Sequence, residues 1–87
     1  MAVYSIEITR DAARALRKMP LNVVKLIRSK IDGLAADPYA ANNNVKKLKG
    51  SGDYRLLVGD WRVIYTLEDE RLVITVIRIA PRGGVYD

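Results

Sequence analysis

The sequence predicts an α+β fold, in which a helical hairpin packs on one face of a mostly antiparallel sheet. Two observations predict it. One alternating segment precedes two segments with helical spacing, and everything after residue 44 is strand-like. The predicted order of elements is therefore β-α-α-β-β-β. A chain of 87 residues has room for one domain, which we expect to span residues 1–87.

The first half of the chain supplies one strand and both helices. Residues 3–8 (VYSIEI) alternate and predict a strand, and Thr9 is suited to N-cap a helix over residues 10–19. Pro20 breaks that helix and suits the first turn of the next, which should run to about Ala36. The short break predicts a helical hairpin. Apolar residues at helical spacing mark the buried faces, namely Ala12, Ala13, Leu16 and Met19, then Val24, Ile27, Ile31 and Leu34.

The second half is strand-like after a loop at residues 39–44. Residues 45–49 (VKKLK) come first, and residues 54–58 (YRLLV) and 61–67 (WRVIYTL) flank Gly59 and Asp60. Glycine at the first position of a two-residue loop suits a type II′ hairpin turn. Residues 71–79 (RLVITVIRI) are β-branched and almost continuously apolar, which predicts a central strand.

The hairpin turn predicts which residues share a face of the sheet. If Gly59 and Asp60 form the loop, Val58 lies opposite Trp61, and the pairing continues to Tyr54 and Tyr65. One face is then apolar and packs on the helices. The opposite, open face carries Arg55 and Arg62 as diagonal neighbours, with Leu57 and Ile64 between them. If Leu48 points to the core, Lys47 and Lys49 join the arginines on the open face.

The composition restricts the chemistry that the chain can perform. Fifteen Lys and Arg against ten Asp and Glu give a net charge of +5, which favours a polyanionic partner. Without histidine, any catalysis must use Lys, Arg, Tyr, Asp or Glu. Without cysteine there are no disulfides or thiolate metal sites. The alternating N-terminus is unlike a signal peptide, and no apolar stretch is long enough to cross a membrane, so we expect a cytoplasmic protein without a membrane partner.

The open face and the C-terminal tail hold the candidate functional residues. Clustered cations repel one another unless a polyanion neutralises them, and the apolar residues Leu57, Ile64 and Ile77 suit a surface that a partner covers. In the tail, Arg82 can hold phosphate in a bidentate manner, and Tyr86 can stack on an unpaired base.

Three segments resemble the central hairpin of the RelE/ParE toxin superfamily: KLKG at residues 47–50, YRL at 54–56 and VGDWRVIY at 58–65. The tail PRGGVY at residues 81–86 resembles RelE-like members. The resemblance implies a toxin of a type II toxin–antitoxin system. Such a toxin is an endonuclease that needs neither a metal nor another cofactor, and it cuts mRNA in the ribosomal A site, where the ribose 2′-OH attacks the adjacent phosphate.

The resemblance also implies partners. They are the ribosome with its mRNA and rRNA, and a cognate RelB-like antitoxin from the same operon. The toxin–antitoxin complex is expected to bind operator DNA through the antitoxin.

The same resemblance assigns roles to individual residues. Arg62 would contact phosphate and stabilise the transition state, Arg82 would assist the leaving group, and Tyr86 would stack on the mRNA base. The full catalytic set is Arg55, Arg62, Arg82 and Tyr86. The residues expected to hold RNA are Lys46, Lys47, Lys49 and Arg78, and those expected to receive the antitoxin are Leu57, Ile64 and Ile77.

One departure leaves the general base unassigned. Leu57 stands where the family prototype has a lysine, which is the usual base candidate. The base would then come from Lys47, Lys49 or the ribosome. Two other functions remain open: a ParE-like toxin that inhibits DNA gyrase by binding alone, and a binding module without toxicity. The missing lysine and histidine favour the gyrase alternative, whereas the set Arg62, Arg82 and Tyr86 disfavours it.

Overall fold

The computed structural model describes residues 3–81, which form two helices and one five-stranded sheet. Their bounds are β1 Ser5–Ile8, α1 Arg10–Arg17, α2 Leu21–Ala36, β2 Val45–Lys47, β3 Tyr54–Val58, β4 Trp61–Glu68 and β5 Val73–Pro81. The α+β class is confirmed. The sheet holds one strand more than the predicted order, because the strand-like segment at residues 45–49 contributes a short edge strand of three residues.

Local hydrogen bonds set the first and the last residue of α1. The Thr9 side chain accepts a hydrogen bond from the Ala12 amide at 3.2 Å, which confirms Thr9 as the N-cap of α1. Helix α1 ends at Arg17, two residues earlier than predicted. The amides of Lys18 and Met19 donate to carbonyls only three residues back, so the last turn tightens before Pro20.

The sheet has the strand order β1-β5-β4-β3-β2. Strand β1 runs parallel to β5, and the other three pairings are antiparallel, which confirms a mostly antiparallel sheet. Strand β5 lies between β1 and β4, so the prediction that the last apolar segment forms an interior strand is confirmed.

The core lies between the helices and the apolar face of the sheet. The predicted β3–β4 register is confirmed at every pair from Tyr54 opposite Tyr65 to Val58 opposite Trp61. The fully buried side chains include Ile27 and Ile31 from α2 and Val63, Tyr65 and Val76 from the sheet. Among residues 3–81, no helix is long and apolar enough to span a membrane.

Two tyrosines fasten the β4–β5 turn to the rest of the fold. The Tyr4 hydroxyl donates to Asp69 Oδ1 at 2.9 Å, and the Tyr39 hydroxyl donates to Asp69 Oδ2 at 2.6 Å. The hydrogen bond to Asp69 raises the pKa of each phenol. In turn, the hydrogen bonds from Tyr39 and, to a smaller extent, from Tyr4 lower the pKa of Asp69. We refer to Tyr4, Tyr39 and Asp69 as the tyrosine clamp.

Candidate nucleic-acid interface

The face of the sheet that the helices leave open carries the two predicted arginines. Leu57 pairs with Arg62 and Arg55 pairs with Ile64, so the predicted diagonal arrangement is confirmed. Arg62 lies deep in this face, with only 4% of its surface exposed, whereas Arg55 is half-buried. Strand β4 is the middle strand of the five, which explains why Arg62 is the more enclosed of the two.

The lysines of β2 are arranged differently from the prediction. Val45 pairs with Leu56 and therefore takes the core-facing position, so alternation turns Lys46 to the open face, opposite Arg55. Lys47 pairs with Tyr54 on the helix-bearing face, and its Nζ lies 5.9 Å from the centroid of the Tyr54 ring. The prediction that Lys47 shares the open face with the arginines is wrong. So is the prediction that Leu48 points to the core.

The open face contains a groove of about 620 Å³. Its cationic lining comes from β2, the loop that follows it, β4 and β5, and its apolar lining comes mainly from β4 and β5. The described residues that line it are Lys46, Leu48, Lys49, Ser51, Asp53, Arg62, Ile64, Ile77, Arg78 and Ala80. We call this the basic groove. Lys46, Lys49, Arg62, Arg78, Ile64 and Ile77 are thereby brought together as predicted.

A β-bulge in β5 turns two adjacent residues into the basic groove. Ile64 pairs with Arg78 but Tyr65 pairs with Val76, so Ile77 has no partner of its own in β4. In a regular strand, Ile77 and Arg78 would point to opposite faces; here both line the groove. The Thr9 hydroxyl donates to the Ile77 carbonyl at 2.9 Å and so joins the bulge to the start of α1.

The loop between β2 and β3 places two polar residues in the groove that the sequence analysis missed, Ser51 and Asp53. The Leu48 amide donates to the Asp53 carbonyl at 2.8 Å, and the Asp53 amide donates to Ser51 Oγ at 3.2 Å. Gly50 and Gly52 have φ values of 87° and 77°, which side-chain-bearing residues rarely adopt. Alternation could have revealed Asp53, because it lies two residues before Arg55 and so on the same face.

The described residues give the groove four cationic side chains, one carboxylate and an apolar floor. Fixed guanidinium and ammonium groups bind phosphate oxygens, and guanidinium does so with two parallel hydrogen bonds. Within residues 3–81, no three side chains of the carboxylate type meet as a metal site would require. Arg82 and Tyr86, the other two predicted catalytic residues, lie outside the described residues. The arrangement is therefore one that suits a polyanion with an apolar portion, such as single-stranded RNA.

The helical hairpin on one face of the sheet and the basic groove on the other define a small, basic α+β protein whose open sheet face is built to bind a polyanion. A family model described as the ParE toxin of the type II toxin–antitoxin system parDE matches residues 6–86. The toxin candidate RelE1 of Methanocaldococcus jannaschii is 31% identical over 86 residues, which cover 95% of this chain and 94% of that protein. The chain therefore belongs to the ParE toxin family of type II toxin–antitoxin systems.

Solved structures agree with this membership. A chain of the crystal structure of the archaeal RelE–RelB complex from Pyrococcus horikoshii OT3 has a TM-score of 0.83 at 30% identity, covering 95% of this chain and 99% of that one. A mutant of the Escherichia coli toxin RelE in the free state has a TM-score of 0.77 at 26% identity, covering 95% and 86%. The protein is thus a RelE-like toxin of a toxin–antitoxin system.

Proposed function

We propose that the toxin is a ribosome-dependent endonuclease that cleaves mRNA in the A site by attack of a ribose 2′-OH on the adjacent phosphate. The observation that carries the proposal is the placement of Arg62, deep in the sheet and lining the basic groove. The guanidinium of Arg62 is held by β4, the middle strand of the sheet, so it loses little freedom when it binds a phosphate. It can therefore stabilise negative charge that develops on that phosphate.

The described side chains divide into two roles in this proposal. In-line attack increases the negative charge on the phosphoryl oxygens, and Arg62, supported by Arg55 on the adjacent strand, stabilises that charge. Lys46, Lys49 and Arg78 along the groove hold the RNA backbone. The sequence resemblance adds Arg82 at the leaving group and Tyr86 on the base. Lys47, on the helix-bearing face, has no place in this set.

The partners follow from the relatives and from the groove. The Pyrococcus horikoshii relative was crystallised as a RelE–RelB complex. We propose that a RelB-like antitoxin from the same operon covers Leu57, Ile64 and Ile77, which are half-buried and sit among the cations of the open face. Its carboxylates would meet those cations, and the complex would bind operator DNA through the antitoxin. A toxin that acts on ribosomes would work in the cytoplasm.

Primer extension on a translated mRNA, with and without ribosomes, tests the proposal. The purified toxin should produce cuts inside codons only when ribosomes are present. Arg62→Ala should slow cleavage by about 10²- to 10³-fold, the effect of removing one preorganised charge-stabilising donor. Arg28→Ala, on the exposed side of α2, is the matched control and should cut at the wild-type rate. Equal cutting by Arg62→Ala and wild type would overturn the assignment of Arg62.

A second candidate is inhibition of DNA gyrase by binding alone. Two observations favour it: the matching family model is described for ParE, and the apolar Leu57 occupies the open face beside Arg62. A gyrase supercoiling reaction distinguishes the two functions. Inhibition of supercoiling without any cleavage of translated mRNA would transfer the roles of Arg55 and Arg62 from catalysis to binding.

A further inference from the structure

The basic groove contains a carboxylate at a place where a surface built only to bind RNA would exclude one. Asp53 is the one acidic side chain among the described residues that line the groove, and it is half-buried there. A carboxylate repels a phosphate backbone, so it weakens RNA binding unless it performs a task that a cation cannot. Accepting a proton or a hydrogen bond from a hydroxyl group is such a task.

The position of Asp53 is fixed by its own backbone. Its amide and its carbonyl are both hydrogen-bonded within the loop, at 3.2 Å to Ser51 Oγ and at 2.8 Å from the Leu48 amide. The carbonyl bond to Leu48 extends the β2–β3 pairing by one step, so Asp53 is held at the start of β3 as firmly as a strand residue. The main chain at Asp53 therefore needs little reorganisation when a group binds in the groove.

In the part of the chain that the structure describes, the other charged groups lining the groove are all cations. They come from every neighbouring element: Lys46 from β2, Lys49 from the loop, Arg62 from β4 and Arg78 from β5, with Arg55 two residues further along β3. Of these, the arginines remain protonated in proteins and cannot accept a proton, and a protonated lysine has no lone pair to offer. Among the described residues that line the groove, Asp53 is the one whose carboxylate oxygens can accept a proton.

We infer that Asp53 is the general base of the cleavage reaction, an inference that rests on the proposed function. Its carboxylate removes the proton from the ribose 2′-OH as the 2′ oxygen forms a bond to phosphorus. The bond from phosphorus to the 5′ oxygen breaks, and that oxygen leaves with a proton taken from solvent water. The products are a 2′,3′-cyclic phosphate, a 5′-hydroxyl and a protonated Asp53, which returns its proton to water.

Single-turnover cleavage of ribosome-bound mRNA, measured across a range of pH, tests the inference. Asp53→Asn keeps the size and the loop hydrogen bonds but cannot take up the proton, so it should slow cleavage by about 10²- to 10⁴-fold. The cleavage rate of Asp53→Asn should also depend less on pH than that of wild type. Asp53→Glu should retain part of the rate, and formate should partly restore cleavage by Asp53→Ala.

The controls separate a base from a counter-ion or a loop residue. Asp60→Asn changes an exposed carboxylate in the β3–β4 turn and should leave the rate and its pH profile as in wild type. Affinity for the ribosome–mRNA complex should not fall in Asp53→Asn. Cleavage by Asp53→Asn within about threefold of wild type, with the same pH profile, would overturn the inference and leave the proposed function standing. Failure of the wild-type toxin to cut would overturn both.

Discussion

The Tyr65 side chain combines a favourable ring position with an unfavourable hydroxyl. The ring is fully buried and stacks on Tyr54, with 5.5 Å between centroids and 16° between planes. Within the described part of the chain, the hydroxyl oxygen has no hydrogen-bond partner. Burial, and then the nearby Tyr54, raise the pKa of Tyr65 to about 12. The fold therefore keeps this phenol protonated while leaving its polar group unsatisfied.

Tyr65→Phe should stabilise the protein, because it keeps the stacked ring and removes the unsatisfied hydroxyl. We expect the free energy of unfolding at pH 7 to rise by about 1 kcal/mol, measured by urea denaturation. The raised pKa means that the wild type loses stability as pH rises from about 10 to 12, and the variant should lose less. Tyr54→Phe is the control. A loss of stability in Tyr65→Phe would show that the hydroxyl is satisfied.

At the level of single residues, the sequence predicted the arginines of the open face correctly and one lysine incorrectly. The Gly59-Asp60 turn fixes the β3–β4 register, so the faces of Arg55 and Arg62 follow from counting residues. No such turn fixes β2. The assumption that Leu48 enters the core placed the alternation of β2 one residue out of step. Val45 has a core-facing position, so Lys46 rather than Lys47 lies on the open face. A shift of one residue reverses every side chain of a strand.

The Thr9 side chain joins two elements, the start of α1 and the bulge of β5. Its oxygen accepts from the Ala12 amide at 3.2 Å and its hydroxyl donates to the Ile77 carbonyl at 2.9 Å. Thr9→Ala removes both bonds, so we expect the free energy of unfolding to fall by about 1–2 kcal/mol in urea denaturation. Thr9→Ser keeps the hydroxyl and should stay within about 0.5 kcal/mol of wild type. An equal loss in both variants would assign the effect to the methyl group instead.

At the level of elements, the limits of the strands were easier to predict than the bulge in β5. The apolar, β-branched segment at residues 71–79 identified an interior strand, yet it gives no sign that Ile77 and Arg78 point the same way. A bulge depends on how β5 pairs with β4, which is a relation between distant segments rather than a local preference. A regular strand would turn only one of these two residues into the basic groove, so the bulge adds one lining residue.

Across the whole molecule, opposite ends of the β4–β5 hairpin carry opposite charge. Arg62 and Arg78 lie in the groove toward one end, whereas at the other end Glu68 closes β4 and the turn adds Asp69 and Glu70, which together outnumber the nearby Arg71. The net charge of +5 indicated a polyanionic partner but could not locate the binding face. The tyrosine clamp was not predicted either, since Tyr4, Tyr39 and Asp69 are 30 or more residues apart in the sequence and meet only when the chain is folded.

The tyrosine clamp should limit the stability of the fold at both extremes of pH. Asp69 has a pKa below its ordinary value of 3.8, so its contribution is present above about pH 4 and is lost as pH falls through the lowered pKa. Tyr4 and Tyr39 have pKa values above their ordinary 10.0, so their contribution is present below about pH 10 and is lost as pH rises through the raised values.

Asp69→Asn should therefore lower the thermal midpoint at pH 7 by a small amount, because the turn is exposed and the charge-assisted hydrogen bonds become neutral ones. The difference from wild type should begin to shrink below about pH 4 and approach zero only once the pH has fallen through the lowered pKa of Asp69, where the wild-type carboxylate is itself protonated. Glu70→Gln removes one charge from the same turn and controls for net charge. Should both variants show the same pH-dependent difference, the effect would belong to the charge of the turn and not to the hydrogen bonds from Tyr4 and Tyr39.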